Sequence, residues 1–193
     1  MHIVAKSVAP VPSDSGLSLV PIHTFENCPR LDLICIPGGI TGVVRAMGDQ
    51  ETIEFVQRQS RTAKYVTSVC TGAFILGAAG LLKGRRATTH WAFTELLPLV
   101  GATHEKRRVV KDGNLITAGG VTSGIDFGLR VVADIAGEAV AQGIQLSIEY
   151  DPDPPFASGH PDRAPDAVKA MHFSRYEQAR TAFRDGITRL STV

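Results

Sequence analysis

The chain has 193 residues, of which 44% are hydrophobic and 20% charged, and its formal net charge is +1. This size and balance predict one globular domain over residues 1–193 and exclude a disordered chain. A charge so near neutrality provides no strong attraction to nucleic acid or to an anionic membrane, and no apolar run is long enough to span a bilayer. Three cysteines at irregular spacings fit neither a zinc site nor a disulfide framework, so a reducing cytoplasm is the expected compartment.

The predicted elements alternate between strands and helices. Strands are predicted over 2–9, 17–25 (an exposed strand or hairpin), 31–36, 65–69, 107–111 and 115–118. Helices are predicted over 49–63, from 71 to a stop at Gly80 or Gly84, and over 91–100, 122–137, 139–150 and 167–190. The segment 151–165 contains five prolines, which exclude regular structure. Strands that alternate with helices predict an α/β fold with a mainly parallel sheet covered on both faces.

The stretch YVTSVCTGAFILGAAGLL places Cys70 at the junction between a predicted strand and a predicted helix. Thr71 and Gly72 add little bulk there, which is typical of a nucleophile elbow that lifts one side chain out of the sheet. The amino end of a helix offers unpaired N–H groups and positive potential, and both favour a thiolate over a thiol. We therefore predict that Cys70 is a catalytic nucleophile.

The alternative is that Cys70 is a small buried core residue, as free cysteines often are. Its position at a junction argues against that interpretation, because a core cysteine belongs inside a strand or on an apolar helix face. Cys35 fits the core description, since it lies inside the apolar run LDLICI, and Cys28 precedes Pro29 in a predicted loop with no assigned role.

Two glycine-rich loops are predicted to lie beside Cys70, because loops at the carboxyl ends of parallel strands share one crevice. Gly38 and Gly39 follow the strand at 31–36 and are predicted, with the Thr71 N–H, to form an oxyanion pocket. A simple turn that ends the strand is the open alternative. The loop 119–124 also joins a strand to a helix, and its residues Gly120, Val121 and Thr122 are predicted to line the same pocket.

No residue stands out as an acid or base partner for the cysteine, although such nucleophiles usually have one. His90 in the segment TTHW fits a capping or structural role as well as a catalytic one. Asp126 is interpreted as a structural acid in the first turn of a helix, and His160 as an exposed residue of the proline-rich segment. The basic cluster 106–108 is interpreted as a solvated strand end.

Four segments together resemble the ThiJ/PfpI superfamily, also called glutamine amidotransferase class I-like, and within it the isocyanide hydratase branch. They are DLICIPGG, YVTSVCTGAFILGAAGLLKGRRATTHW, LITAGGVTSGIDFGL and IEYDPDPPFASGHPDRAP. The cysteine elbow and the PGG loop are shared across the superfamily, while the tail favours the hydratase branch. The resemblance extends over almost the whole chain.

The resemblance implies a flavodoxin-like three-layer sandwich, a homodimer and a small-molecule substrate, with no need for a cofactor or metal. The near-neutral charge and the lack of a long apolar run are the grounds for expecting no nucleic-acid or membrane partner. It implies that Cys70 attacks the terminal carbon of an isocyanide, forming a thioimidate that water converts to an N-substituted formamide. Thr71 is implied to contribute its backbone N–H beside the nucleophile, with its hydroxyl as a second candidate donor. Because Thr71 stands where the protease-like branch has histidine, a peptidase or deglycase activity is not expected.

The resemblance also implies a segment that this sequence lacks. The family begins with a further strand and helix that carry an acidic residue near the nucleophile, whereas Met1 here begins at what resembles the second strand. An amino-terminally truncated fold is therefore expected, with interior strand edges unpaired. Either the sequence is a fragment of a longer product or its activity is reduced or lost, and upstream coding sequence is expected to raise solubility and activity.

Two other functions remain open. The CTG and RRATTHW motifs also resemble the ligand-sensing half of AraC-type transcription regulators, but no helix-turn-helix pair follows and the charge is near neutral. A non-catalytic or redox-sensing protein with an oxidisable Cys70 is the other alternative.

Overall fold

Parallel strands form the centre of the molecule. The computed structural model describes residues 1–13 and 16–190. Its strands are β1 (Val4–Ala5), β2 (Val11–Pro12), β3 (Ser18–Leu19), β4 (His23–Thr24), β5 (Leu33–Ile36), β6 (Tyr65–Val69), β7 (Arg86–Ala87), β8 (Thr103–His104), β9 (Val109–Asp112) and β10 (Leu115–Ala118). Four of them form one sheet in the order β5–β6–β10–β9, in which only the β9–β10 pair is antiparallel.

The helices lie between these strands, as the alternating pattern predicts. They are α1 (Thr41–Met47), α2 (Gln50–Ser60), α3 (Ala73–Ala78), α4 (Ser123–Ala136), α5 (Glu138–Ser147), α6 (Asp166–Arg175) and α7 (Glu177–Leu190), with 3₁₀ helices over Cys70–Gly72 and Trp91–Val100. None of the helices within the described ranges is long and apolar enough to cross a membrane. The mixed α/β architecture with a mainly parallel sheet is confirmed.

The two faces of the sheet are covered by different helices. The larger core lies on one face, where Phe74, Phe93 and Phe183 are buried among α3, the 91–100 helix and α7. On the other face, Phe127 and Val131 of α4 pack against residues of β9 and β10. Helices on both faces hide the middle strands, which explains the β-branched, apolar sequence of β6.

One edge of the sheet is open. Within the described part of the chain β5 pairs only with β6, and a cleft of about 640 Å³ separates β5 from the residues around β1. Cys35, in the middle of β5, is exposed, whereas Ile34 and Ile36 on the opposite face are buried. The prediction that Cys35 is a core residue is therefore wrong. Cys35 lies on the face of the sheet that α4 covers, but α4 packs against β9 and β10 and leaves β5 uncovered there.

Several element boundaries differ from their predictions for identifiable reasons. The helix predicted at 167–190 is two helices, α6 and α7, that meet at Tyr176. Helix α1 has no predicted counterpart, because it begins close after the turn at Pro37 and no capping side chain marks its first residue. The 91–100 segment is a 3₁₀ helix that contains Pro98, which cannot supply an N–H to an α-helical ladder. Among the described residues before Phe25, the strands are two residues long, and β2 pairs antiparallel with β3.

Candidate active site

Cys70 follows directly from β6 and begins the short 3₁₀ helix that leads into α3. Its φ angle is +58°, a conformation that a non-glycine residue adopts only where its surroundings enforce it. Strained backbone of this kind concentrates at functional sites. The strand, the strained cysteine and the helix together form the elbow that the sequence predicts.

Three groups bind the backbone of Cys70 in this conformation. Its N–H donates to the carbonyl of Gly119 at 2.8 Å, and its carbonyl accepts from the Thr89 hydroxyl at 2.8 Å and from the Ala73 N–H. Thr89 is only 2% exposed. Thr89 lies in the segment TTHW, where no local sequence pattern indicates that its hydroxyl belongs to the site.

Two glycines allow the β5 loop to lie against the elbow. A Cβ atom added to Gly38 would lie 2.6 Å from the Cys70 Cβ and 3.1 Å from its Sγ. A Cβ atom added to Gly72 would lie 2.6 Å from the Pro37 carbonyl oxygen and closer still to that of Ile36. Any larger residue at either position would displace the nucleophile or the loop beside it.

Thr71 binds the loop after β5 to the elbow through hydrogen bonds. Its hydroxyl accepts from the Gly39 N–H at 3.0 Å and donates to the Gly39 carbonyl, and the residue is 1% exposed. The prediction that the Gly39 N–H points at the reacting group is therefore wrong, because Thr71 already occupies that donor. Gly38, which touches Cys70, remains the member of the pair that lies at the nucleophile.

The electrostatic environment of Cys70 differs from the expectation of a thiolate. Burial raises the pKa of the Cys70 thiol, while hydrogen bonds from the Thr71 N–H and hydroxyl act in the opposite direction without reversing the shift. The Thr71 hydroxyl has a single proton, which it donates to Gly39, so the backbone N–H is the more effective of the two donors. Desolvation depends on tertiary packing, which the strand-to-helix pattern does not reveal.

Reaction of Cys70 with iodoacetamide should consequently be slow at pH 7 and accelerate as the pH rises past the ordinary thiol value of about 8.5. The sign follows from the raised pKa, which leaves less thiolate at neutral pH than an unperturbed cysteine has. The measurement uses a Cys28→Ser, Cys35→Ser background, with the same protein unfolded in urea as the reference. A folded-state rate that reaches its plateau below pH 8 would contradict this prediction.

The loop 119–124 reaches the elbow at its first residue. Gly119 accepts from Cys70, and Gly120 lies against His90, since an added Cβ there would be 3.1 Å from the His90 Cδ2 atom. Val121 is 82% exposed, and the Thr122 hydroxyl accepts from the Arg108 guanidinium at 3.0 Å. The structure thus places the loop beside Cys70, while the pocket-lining role of Gly120, Val121 and Thr122 remains a prediction.

The candidate partners of Cys70 have other contacts. His90 Nδ1 accepts from the Ala92 N–H at 3.3 Å, which caps the 91–100 helix, and burial lowers the pKa of its imidazole. Asp126 accepts from Arg108 and, at 3.2 Å, from the Tyr150 hydroxyl. These contacts fit the capping and structural interpretations, and no hydrogen bond between either residue and Cys70 is found among the described residues.

The remaining charged candidates lie at ion pairs. His160 Nδ1 accepts from the Asp162 N–H at 3.2 Å, and Asp162 also pairs with Lys106. Arg107 pairs with Glu105 at 2.9 Å, and Arg108 pairs with Asp126. Each basic residue of the 106–108 cluster therefore has an acidic partner. Among the residues described, no group of three or more His, Cys, Asp and Glu side chains is placed to hold a metal ion.

Known proteins are similar to this chain in sequence. The chain is 56% identical over 168 residues to isonitrile hydratase from Pseudomonas putida, which covers 87% of this chain and 73% of that protein. It is 30% identical over 153 residues to the HTH-type transcriptional regulator CdhR from Pseudomonas aeruginosa, which covers 77% of this chain but only 44% of the regulator.

The fold also matches a solved structure over nearly its whole length. A crystal structure of a ThiJ/PfpI family protein from Pseudomonas syringae superposes with a TM-score of 0.94 at 45% identity, over 96% of this chain and 77% of that one. This match confirms the flavodoxin-like sandwich. The model of the DJ-1/PfpI family matches residues 1–134, which include every element of the elbow and its two loops. The chain therefore belongs to the DJ-1/PfpI family.

Proposed function

We propose that this protein hydrates an isocyanide to an N-substituted formamide, with Cys70 as the nucleophile. The observation that carries the proposal is the 56% identity to an isonitrile hydratase over 87% of the chain. The strained elbow at Cys70 supports it, since the turn presents one sulfur atom at the carboxyl end of a parallel sheet.

The proposed reaction balances without a cofactor. The Cys70 sulfur bonds to the terminal carbon of R–N≡C, and the thiol proton is transferred to that carbon, which yields a thioimidate, R–N=CH–S–Cys. Water then adds to the same carbon, the C–S bond breaks, and R–NH–CHO leaves while the thiol regains a proton. A resting thiol with a raised pKa supplies the proton that the first step consumes.

The residues around Cys70 fit this chemistry by position. The Thr71 N–H donates to the sulfur and stabilises negative charge on it as the thiol proton leaves. Gly38 leaves space beside the sulfur that no other residue type would leave. The proposal is tested by incubating the purified protein with an alkyl isocyanide and measuring formamide by mass spectrometry. A protein that forms no product at every pH tested between 6 and 9 would overturn it.

The comparisons favour an enzyme over a regulator. The chain spans less than half of the length of the regulator CdhR, at 30% identity, but most of the hydratase at 56%. A cytoplasmic location belongs to the same proposal, because Cys28, Cys35 and Cys70 are all free thiols, which persist in a reducing compartment. Detection of the protein in a periplasmic or secreted fraction would contradict that location.

A homodimer is also part of the proposal. Large apolar side chains of α4, α5 and the tail are exposed, including Leu146 at 83% and Phe156 at 76%. Exposed apolar surface can mark a protein–protein contact site, and a second copy of the chain is the partner that the family resemblance implies. A monomeric mass by light scattering at micromolar concentration would argue against it.

Adding a strand that pairs with the open edge of β5 should raise both solubility and hydratase activity. The cleft of about 640 Å³ exposes the outer edge of β5, whose carboxyl end continues into the loop that contacts Cys70. Unpaired strand edges promote aggregation, and a paired β5 would hold that loop more firmly. The measurement compares the present chain with a version extended at its amino end by a segment designed to pair with β5.

Alkylation of Cys35 provides the structural readout for that comparison. Cys35 is exposed at the open edge and should react more slowly in the longer chain, whereas Cys28, whose Sγ donates to the Pro29 carbonyl, serves as the internal control. Equal hydratase rates for the two forms would overturn the prediction.

A further inference from the structure

A side chain that is 19 residues away in the sequence bonds to the backbone of Cys70. The Thr89 hydroxyl donates to the Cys70 carbonyl at 2.8 Å. The same carbonyl also accepts from the Ala73 N–H, a bond that any 3₁₀ turn at this position would make. The Thr89 bond is thus the contribution that the local helix does not supply, and it acts on the one residue of the site whose φ angle is strained.

Thr89 is itself held firmly. It is 2% exposed, and the N–H of its neighbour Thr88 donates to the Thr117 hydroxyl of β10 at 2.9 Å. A Cβ atom added to Gly119 would lie 3.7 Å from the Thr89 carbonyl oxygen, so Thr89 also adjoins the residue that accepts the Cys70 N–H. Both polar groups of the Cys70 backbone therefore bond to residues that lie beside each other at the end of β10.

We propose that Thr89 is a positioning residue for the nucleophile. Its hydroxyl fixes the carbonyl of the strained turn, and the fixed turn keeps the Cys70 sulfur between Gly38 and the Thr71 N–H. The proposal deepens the proposed function but rests on it only for the turnover readout, because the reactivity of the thiol toward an alkylating agent reports the position of the sulfur without any isocyanide.

A purely structural role is the alternative, in which the buried bond stabilises the fold and leaves the sulfur unaffected. Thr67 offers a matched control for that role, since it is fully buried and its hydroxyl donates to the Ile34 carbonyl at 2.9 Å. Thr67→Val and Thr89→Val each remove one buried hydroxyl-to-carbonyl bond without changing the size of the side chain, and Thr67 also loses its hydrogen bond with the side chain of residue 35. Of the two carbonyls, only the one that accepts from Thr89 belongs to Cys70.

The experiment compares Thr89→Val, Thr89→Ser and Thr67→Val in the Cys28→Ser, Cys35→Ser background. Urea unfolding should show similar losses of stability for the two valine variants. Only Thr89→Val should raise the pH midpoint of Cys70 alkylation, by about half a unit or more. The displaced turn would weaken the hydrogen bond from the Thr71 N–H to the sulfur, and this bond favours the thiolate. The same variant should lower kcat for isocyanide hydration about tenfold with little change in KM, and Thr89→Ser should restore both readouts.

Identical alkylation profiles for Thr89→Val and Thr67→Val would overturn the proposal. So would a folded Thr89→Ser variant that restores neither the alkylation midpoint nor kcat. If Thr89→Val does not accumulate as folded protein, Thr89→Ala takes its place, because it removes the hydroxyl and leaves space. A shifted alkylation profile in a protein that hydrates no isocyanide would support the positioning role while the proposed function fails.

Discussion

Replacing Cys70 with alanine should abolish isocyanide hydration and leave the fold intact. The proposed reaction proceeds through a bond to the Cys70 sulfur, and no other cysteine in the described structure lies at the elbow. Removal of a covalent nucleophile lowers kcat by about 10³-fold or more. The measurement is formamide production at saturating isocyanide, together with the urea unfolding curve of each protein.

The other two cysteines provide matched controls for that substitution. Cys28 donates to the Pro29 carbonyl at 3.4 Å, and Cys35 lies at the open edge of β5, so neither is at the elbow. Cys28→Ala and Cys35→Ala should each retain most of the wild-type rate. Formamide production by Cys70→Ala at more than a few per cent of the wild-type rate would refute the assigned nucleophile.

Replacing Gly72 with alanine should destabilise the protein severely. The backbone of Gly72 is ordinary for a helix, with φ −55° and ψ −23°, so alanine meets no conformational obstacle there. The obstacle is steric, because the new methyl group would lie 2.6 Å from the Pro37 carbonyl oxygen and closer to that of Ile36. Both are backbone atoms, which move only if the end of β5 moves, so we expect a loss of about 3 kcal/mol or more in the free energy of unfolding.

Gly128 provides the control for this prediction. It lies within α4, and an added Cβ there meets no atom within 4 Å. Gly128→Ala should therefore stabilise the protein by about 0.5–1 kcal/mol, because alanine restricts the unfolded chain and favours the helix. Urea denaturation curves measure both effects, and equal unfolding free energies for Gly72→Ala and the wild type would show that the loop does not pack as described.

The elbow could be predicted from sequence because its determinants are local. An apolar, β-branched run that ends at Cys70 and continues into small residues favours a strand, a tight turn and a helix in that order. The approach of Gly38 followed from a topological rule, since parallel strands bring their carboxyl ends to one edge of the sheet. Neither inference required knowledge of packing.

Three features of the site depend on packing and could not be predicted in this way. The contact of Thr89 with Cys70 joins residues that no local pattern relates. The raised pKa of Cys70 results from burial, which outweighs the favourable donors of the helix start. The exposure of Cys35 depends on which element covers β5. The apolar sequence of that strand indicates that burial is favourable, but it does not indicate whether another element covers the strand.

The most direct test of the central claim is the mass of the Cys70 peptide during turnover. Tryptic cleavage after Lys64 and Lys83 releases residues 65–83, in which Cys70 is the only cysteine. In samples quenched with acid during reaction with an alkyl isocyanide, this peptide should gain the full mass of the isocyanide, as expected for a thioimidate on the sulfur. Steady formamide production with no mass added to residues 65–83 would contradict covalent catalysis by Cys70.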